Sequence, residues 1–285
     1  MISIIITLYN KQACILDTVN SVLNQTNKNF ELIIINDGST DNSLSIVSAI
    51  NDIRIKIYSK SNGGVSAARN DGIIHSVGDY ILFLDADDIL YPNCLEVFYN
   101  LILNFPLIEI YTANFEMIEA ESKVKICSEK VRGVINEPIK SRWYNNIVPR
   151  IGNTLLKKNV IEKIGVYRTD ISYYEDLEFN IRMLSNCSVA YTPEVVLKYN
   201  RDFSALSNRY LPLEKEFSWY ITLTNKPYYT KLILADNINH SIFNRLKQRD
   251  FKSAYQLIRK NSKYMFFILF TLVFFLLKNF KAKLQ

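Results

Sequence analysis

Histidine is nearly absent: His75 and His240 are the only two in 285 residues. They lie far apart with no neighbouring Cys or His, which argues against a histidine-built zinc site and a Ser-His-Asp hydrolase. Acid–base chemistry therefore falls to carboxylates. Glycine is scarce too, at 8 residues against a usual share of roughly 7%. The four cysteines, Cys14, Cys94, Cys127 and Cys187, show no CxxC spacing and sit in apolar-rich stretches. This predicts reduced core residues, although an even count alone is also compatible with disulfides. The N-terminus lacks a basic region followed by an apolar run and a small-residue cleavage site, so no signal peptide is expected. Internal repeats and low-complexity linkers are also missing. What is present is ample apolar material, at 48% hydrophobic residues. That excludes a disordered chain and suits one large domain, with or without an appendage.

The net charge of +6 hides a division: residues 1–225 carry 22 basic and 26 acidic side chains, whereas residues 226–285 carry 12 and 2. A basic segment faces nucleic acid or an anionic membrane surface. Here it surrounds the apolar run Tyr264–Leu277, with Lys260 and Lys263 before it and Lys278, Lys281 and Lys283 after it. As a helix this run is about 21 Å long, short of a hydrocarbon core of roughly 30 Å. It is apolar all round. Lysines at both ends suit an interfacial or re-entrant helix on anionic lipid, or a short span with snorkelling lysines. The same run would also serve as a core helix or a dimer contact. Its apolar character makes lipid the expected partner and nucleic acid not.

The first hundred residues alternate between strand and helix patterns. Strands are expected at Ile2–Leu8, Phe30–Ile35, Ile53–Tyr58 and Tyr80–Leu84. Helices are expected over residues 11–24, after a cap at Ser39 or Thr40, and over Val65–Ser76. Repeated βαβ units predict an α/β fold with a parallel sheet covered on both faces. Past residue 105 the pattern becomes mixed, with strands at Leu107–Met117 and Val124–Cys127 and helices at Pro138–Tyr144, Asn159–Ile164 and Glu175–Leu184. Residues 213–263 look helical and basic.

Five of the eight glycines fall between residues 38 and 78, in loops after strands or beside a helix start. The carboxyl ends of parallel strands are where open α/β sheets bind ligands. Four polar segments should converge there: Thr7-Leu8-Tyr9-Asn10, Asn36 to Asp41 (NDGSTD), Asn62 to Asn70 (NGGVSAARN) and Asp85-Ala86-Asp87-Asp88. Three acids at the end of a buried strand repel one another unless a cation joins them. A hard divalent ion, Mg²⁺ or Mn²⁺, would relieve this and bind a diphosphate. By itself DADD is better read as a solvated acidic turn.

In combination the four strings, in this order and spacing, resemble the inverting family 2 glycosyltransferases of the GT-A fold. Tyr174-Glu175-Asp176 and the following run to Arg182 look like that family's ED motif with its helix. The resemblance covers about residues 2–207. It implies a catalytic domain over 1–212, with a nucleotide-binding half (1–105) and an acceptor-binding half (106–212). A helical basic extension (213–263) and a membrane-associating apolar helix with a basic end (264–285) would follow. It implies that Thr7 and Tyr9 contact the nucleoside and that Asp37 accepts from uracil N3–H, favouring a UDP-sugar donor. Arg69 would lie near the base and fix its loop, Asp85 would hold the ribose or the metal shell, and Asp87 would ligate the metal. Asp176 would be the catalytic base, with Asn10, Asp88 and Glu175 as supporting candidates. The acceptor would be a glycan or a polyprenyl-linked oligosaccharide, used in surface-polysaccharide assembly at the cytoplasmic face of a bacterial membrane.

Departures from the family pattern carry information. Asn36 replaces the first of two aspartates often found there. The QxxRW pattern of processive synthases is absent, so single transfers are expected. Arg150-Ile-Gly-Asn-Thr154 is not a common form of the acceptor-side region, which leaves the acceptor open. Arg201 to Ser207 (RDFSALS) resembles the loop that closes over the donor. Trp143 and Trp219 are equally suited to stacking on a sugar and to core or membrane-edge packing. His75 is expected to end a helix, solvated or capped. Two other functions compete with this one. A Rossmann dehydrogenase needs a glycine-rich turn after the first strand, and Thr7–Gln12 contains none. A catalytically inactive, membrane-attached nucleotide-sugar-binding protein is opposed by the intact DADD and Glu175-Asp176.

Overall fold

The computed structural model describes residues 1–119, 122–200 and 211–282. The chain divides into two compact units, Met1–Arg209 and Tyr210–Gln285.

The first unit opens with β1 (Ile2–Leu8), α1 (Ile15–Leu23), β2 (Phe30–Asn36), α2 (Ser43–Ser48), β3 (Ile55–Ser59), α3 (Val65–His75) and β4 (Tyr80–Asp85). β1 and β2 are buried almost throughout, because a strand between parallel neighbours under helices has no wet face. β1 pairs in parallel with β2 and with β4, and β2 with β3. Next come β5 (Ile89–Leu90), α4 (Cys94–Asn104), β6 (Ile110–Glu119), β7 (Ser122–Lys125), β8 (Gly133–Ile135) and α5 (Pro138–Trp143). The unit is completed by β9 (Thr154–Lys157), α6 (Val160–Ile164), α7 (Glu175–Asn186) and β10 (Val189–Asn200). The sheet order is β3-β2-β1-β4-β9-β6-β10-β5, with β7 beside β6 and β8 beside β10. β9 runs antiparallel to both β4 and β6, whereas β6 and β10 are parallel. The expected parallel first half and mixed second half are thus observed. β10 was not legible in the sequence. It contains Pro193, which has no N–H to give a ladder, and its register with β6 shifts between Thr192 and Leu197.

Local chemistry moved two expected boundaries. Helix α2 starts at Ser43 after Asn42, not after Ser39 or Thr40. Ser39 is engaged elsewhere: its N–H donates to Asn36 Oδ1 and its Oγ accepts from the Asn10 N–H. Strand β3 starts at Ile55, two residues later than expected, because the Asp52 carboxylate accepts from the Arg54 N–H and closes a turn around the exposed Ile53. His75 does end α3, but its ring stacks on Tyr58 at 3.7 Å. All four cysteines are free and buried.

The second unit contains α8 (Phe217–Tyr220), α9 (Tyr228–Lys247), α10 (Phe251–Lys260) and α11 (Met265–Ala282). Among its buried apolar residues lies a polar network. Arg245, buried on α9, donates to Glu216, to Asp250 (3.1 Å) and to the Leu211 carbonyl, while Ser218 and Ser241 donate to Glu216. The Asp250 carboxylate also caps α10 by accepting from the Ser253 N–H. Asn239 of α9 donates to the Ile268 carbonyl and the Thr271 hydroxyl of α11. Residues Phe266, Leu269, Phe270, Leu272 and Val273 of α11 stay exposed. Among the described residues no helix is long and apolar enough to cross a membrane.

Candidate active site

Parallel register brings the ends of four strands level: Leu8 lies opposite Asn36, Asn36 opposite Ser59, and Thr7 opposite Asp85. The loops after β1, β2, β3 and β4 therefore lie side by side. Tyr9 is exposed just beyond Thr7. Asn10 has a positive φ of 52°, and its side-chain oxygen accepts from the Thr40 N–H at 2.8 Å, tying the first loop to the second. Asp37 is buried, and its two oxygens accept from the Gly63 and Gly64 N–H groups at 2.8 Å each. Gly64, at φ 86°, then leads into α3, a backbone state open to glycine at little cost.

Arg69 on α3 is 3% exposed. It donates to Asp176 Oδ1 at 2.6 Å and to Asp85 Oδ1 at 3.1 Å, and lies over the Tyr167 ring at 5.1 Å. Its guanidinium thus sits between the end of β4 and the start of α7. Burial opposes its charge, but the surrounding groups together, Asp176 foremost, outweigh burial and hold it protonated. The next residue, Asn70, exchanges two hydrogen bonds of 2.9 Å with the Tyr167 backbone. Tyr167 stacks on Phe179 of α7 at 4.1 Å. One turn of α3 therefore places the helix that carries Asp176.

Glu175 and Asp176 occupy the first turn of α7, after Tyr174 at φ 62°. Burial, then the Asp176 charge, pushes the Glu175 carboxyl up to about 7. Burial also raises Asp176, against the opposing pull of Arg69. Asp176 nonetheless keeps 41% of its side-chain surface accessible, so a hydroxyl can reach it.

The acids after β4 have separate partners. Asp85 is held by Arg69, Asp87 by Lys11 Nζ at 2.5 Å, and Asp88 by the Asn200 N–H at 3.1 Å. Asp88 Oδ2 is buried with no partner among the described residues. Burial raises both Asp87 and Asp88, with the Asp85 charge adding to it, so each would gain from further positive charge. Among the described residues no three His, Cys, Asp or Glu side chains are arranged to hold a metal by themselves. A divalent ion bound through a diphosphate takes only one or two protein carboxylates, and the hard oxygens of Asp87 and Asp88 fit that need.

The structure thus brings together Thr7, Tyr9, Asn10, Asp37, Arg69, Asp85, Asp87, Asp88, Glu175 and Asp176 at one edge of the sheet and the start of α7. Sequence reasoning missed Lys11, Asn70 and Tyr167. Lys11 directly follows Asn10, so a cation next to a strand end was the available signal. Trp143 ends α5 partly buried, and Trp219 lies in the second unit under Lys260 Nζ at 3.8 Å. The 201–207 segment lies outside the described residues.

A family model, glycosyl transferase family 2, matches residues 3–165. An uncharacterized glycosyltransferase of Haemophilus influenzae is 30% identical over 255 residues, covering 83% of this chain and 76% of that protein. One of Rickettsia conorii is 49% identical over 98 residues, covering 34% of this chain and 16% of its own longer length. The crystal structure of S. aureus TarS 1–349 in complex with UDP-GlcNAc superposes with a TM-score of 0.66 at 19% identity, covering 83% of this chain and 66% of that one. This likeness extends the GT-A fold to the chain. With the family model spanning more than half of its residues, the chain belongs to glycosyl transferase family 2.

Proposed function

We propose that this chain is a metal-dependent, inverting glycosyltransferase that moves one sugar from a UDP-sugar to a hydroxyl of a glycan or a lipid-linked oligosaccharide. The observation that carries this is Asp176. It stands at a helix start, bound to Arg69, which also grips Asp85 of the acidic turn. One arginine thus links the place for a base to the place for a diphosphate. The UDP-GlcNAc complex of TarS supports a uridine donor.

In this reading Thr7 and Tyr9 meet the nucleoside, with the Tyr9 ring along the base. Each Asp37 oxygen spends one lone pair on a glycine N–H and keeps another for uracil N3–H. Arg69 positions Asp85 and Asp176, Asp85 holds the ribose, and Asp87 with Asp88 holds Mg²⁺ or Mn²⁺. That ion, when bound, neutralises charge growing on the departing diphosphate. A sugar hydroxyl is a weak nucleophile at neutral pH. Asp176 takes its proton as the oxygen bonds to the anomeric carbon, while the bond to the diphosphate breaks on the opposite face. A single displacement inverts the configuration, and no carboxylate nucleophile is required.

We further propose that this chain works at the cytoplasmic face of a bacterial membrane, in surface-polysaccharide assembly; the second unit supports the lipid contact in this reading. On α10 the exposed Phe251 and Tyr255 share the helix with the exposed Lys252 and Arg259, and α11 exposes further apolar residues, a combination that suits anionic lipid. The test is a screen of nucleotide sugars with Mn²⁺ for thermal stabilisation and donor hydrolysis. UDP-sugars should stabilise the protein and be turned over. UDP binding without turnover on any acceptor would favour the inactive binding protein.

A further inference from the structure

We propose that Arg150 is the anion-receiving residue of this cleft, binding a phosphate-type oxygen of a substrate. The inference rests on the nucleotide-sugar reading above and adds a binding residue that this reading does not use.

The other cations of the cleft are matched, Arg69 with Asp176 and Asp85, and Lys11 with Asp87. Arg150 is not. Among the described residues its guanidinium makes no ion pair, and its Nε is buried with no hydrogen-bond partner. A guanidinium is always charged and offers five donors in a fixed fork. Leaving the buried Nε donor unused is costly unless a partner arrives.

Its surroundings hold it without consuming those donors. The guanidinium carbon lies 3.4 Å from the centre of the Tyr199 ring and 5.1 Å from that of Phe115. Contact with ring faces stabilises the cation and leaves its N–H edge free. The backbone beneath it is also built. The Arg150 N–H donates to Asn153 Oδ1 at 2.8 Å, and the buried Asn153 amide donates to the Ala113 and Val148 carbonyls at 2.8 and 3.0 Å. The Gly152 N–H donates to the Phe83 carbonyl at 2.8 Å. Gly152 has φ 88°, and a Cβ there would lie 2.6 Å from Leu197. Arg-Ile-Gly-Asn is therefore a rigid turn that presents one side chain.

That side chain faces the acids at the strand ends. The Arg150 charge favours the ionised forms of Asp88 and Asp176 without pairing with either. A fixed cation with free donors beside such carboxylates takes its partner from outside the protein. Two sources carry the right oxygens: the donor's diphosphate, and a phosphate on the acceptor.

The experiment is calorimetry on the full chain with uridine, UDP and inorganic phosphate, comparing wild type with Arg150→Met and Arg150→Lys. Uridine binding reports that each variant keeps its folded cleft, and Arg150→Lys retains a charge should Arg150→Met fail to fold. If the donor supplies the anion, Arg150→Met weakens UDP by about ten- to a hundredfold, as for lost charge-assisted hydrogen bonds, and leaves uridine unchanged. If the acceptor supplies it, UDP is unchanged and phosphate binding to the UDP-saturated protein is lost. Either result supports Arg150. Folded variants that bind UDP, and phosphate on top of UDP, as tightly as wild type overturn it. Wild-type protein that ignores uridine and UDP refutes the donor reading instead, and phosphate binding alone then decides Arg150.

Discussion

At the scale of the residue, the site is a set of charges assigned to one another. Asp176 receives Arg69, Asp87 receives Lys11, and Asp88 keeps an unpartnered oxygen among the described residues. Asp176→Asn should lower the transfer rate by about 10²- to 10⁴-fold, the usual worth of a positioned base. Its affinity for UDP should change little, since the base acts on the acceptor hydroxyl. Full activity of Asp176→Asn with Mn²⁺ present would end the assignment. Burial raises Asp176, and pushes Glu175 beside it up to about 7, so the base loses its ionised form at a higher pH than a free aspartate does. Turnover should then drop about tenfold per pH unit below that limb, a limb belonging to the pair. A rate that falls only where a free aspartate titrates contradicts it. For stability the sign is opposite: a carboxyl raised on folding favours the fold when protonated. The Glu175 contribution is therefore lost as pH rises from 4.5 through about 7.

At the scale of the element, α3 does more than cover the sheet. Arg69 and Asn70 set α7, and Gly72 lets the helix lie directly on β1, where an added Cβ would stand 2.2 Å from Ile5 Cγ2. Gly72→Ala should cost about 1–3 kcal/mol through overpacking, read as a lower urea midpoint of the first unit. An unchanged midpoint would mean that the helix can lift freely. In the second unit, α9 depends on Arg245 meeting Glu216. Glu216→Gln removes a charge from a buried pair, a kind of change that costs roughly 3–5 kcal/mol. Hydrogen exchange of the α9 amides should speed up accordingly, and exchange at the wild-type rate would show the network to be dispensable.

At the scale of the whole molecule, charge is divided between an acidic catalytic body and a basic helical end. The full chain should sediment with vesicles containing phosphatidylglycerol and much less with neutral ones. The association should weaken as salt rises from about 0.1 M to 1 M, where screening shortens to roughly 3 Å. Equal binding to both vesicle types would leave only the apolar contribution, and no binding to either would remove the membrane reading.

Much of this was legible in the chain itself. The apolar runs of β1, β2 and β4, the motif order and the Glu175-Asp176 helix start are local patterns, and local patterns follow from residue spacing alone. That determined the α/β class, the family resemblance and the candidate site residues. The sequence also showed the charge division, because composition needs no fold. Only tertiary structure decided which charges meet. Arg69 and Asp176 are 107 positions apart, and Lys11 and Asp87 are 76 apart; no periodicity links them. It also decided that the Asp37 oxygens strap the glycine loop, that β10 enters the sheet despite Pro193, and that Arg150 stands between two rings with its donors free. Pairing across the sheet is a property of register and topology, and neither is written in any single stretch of residues.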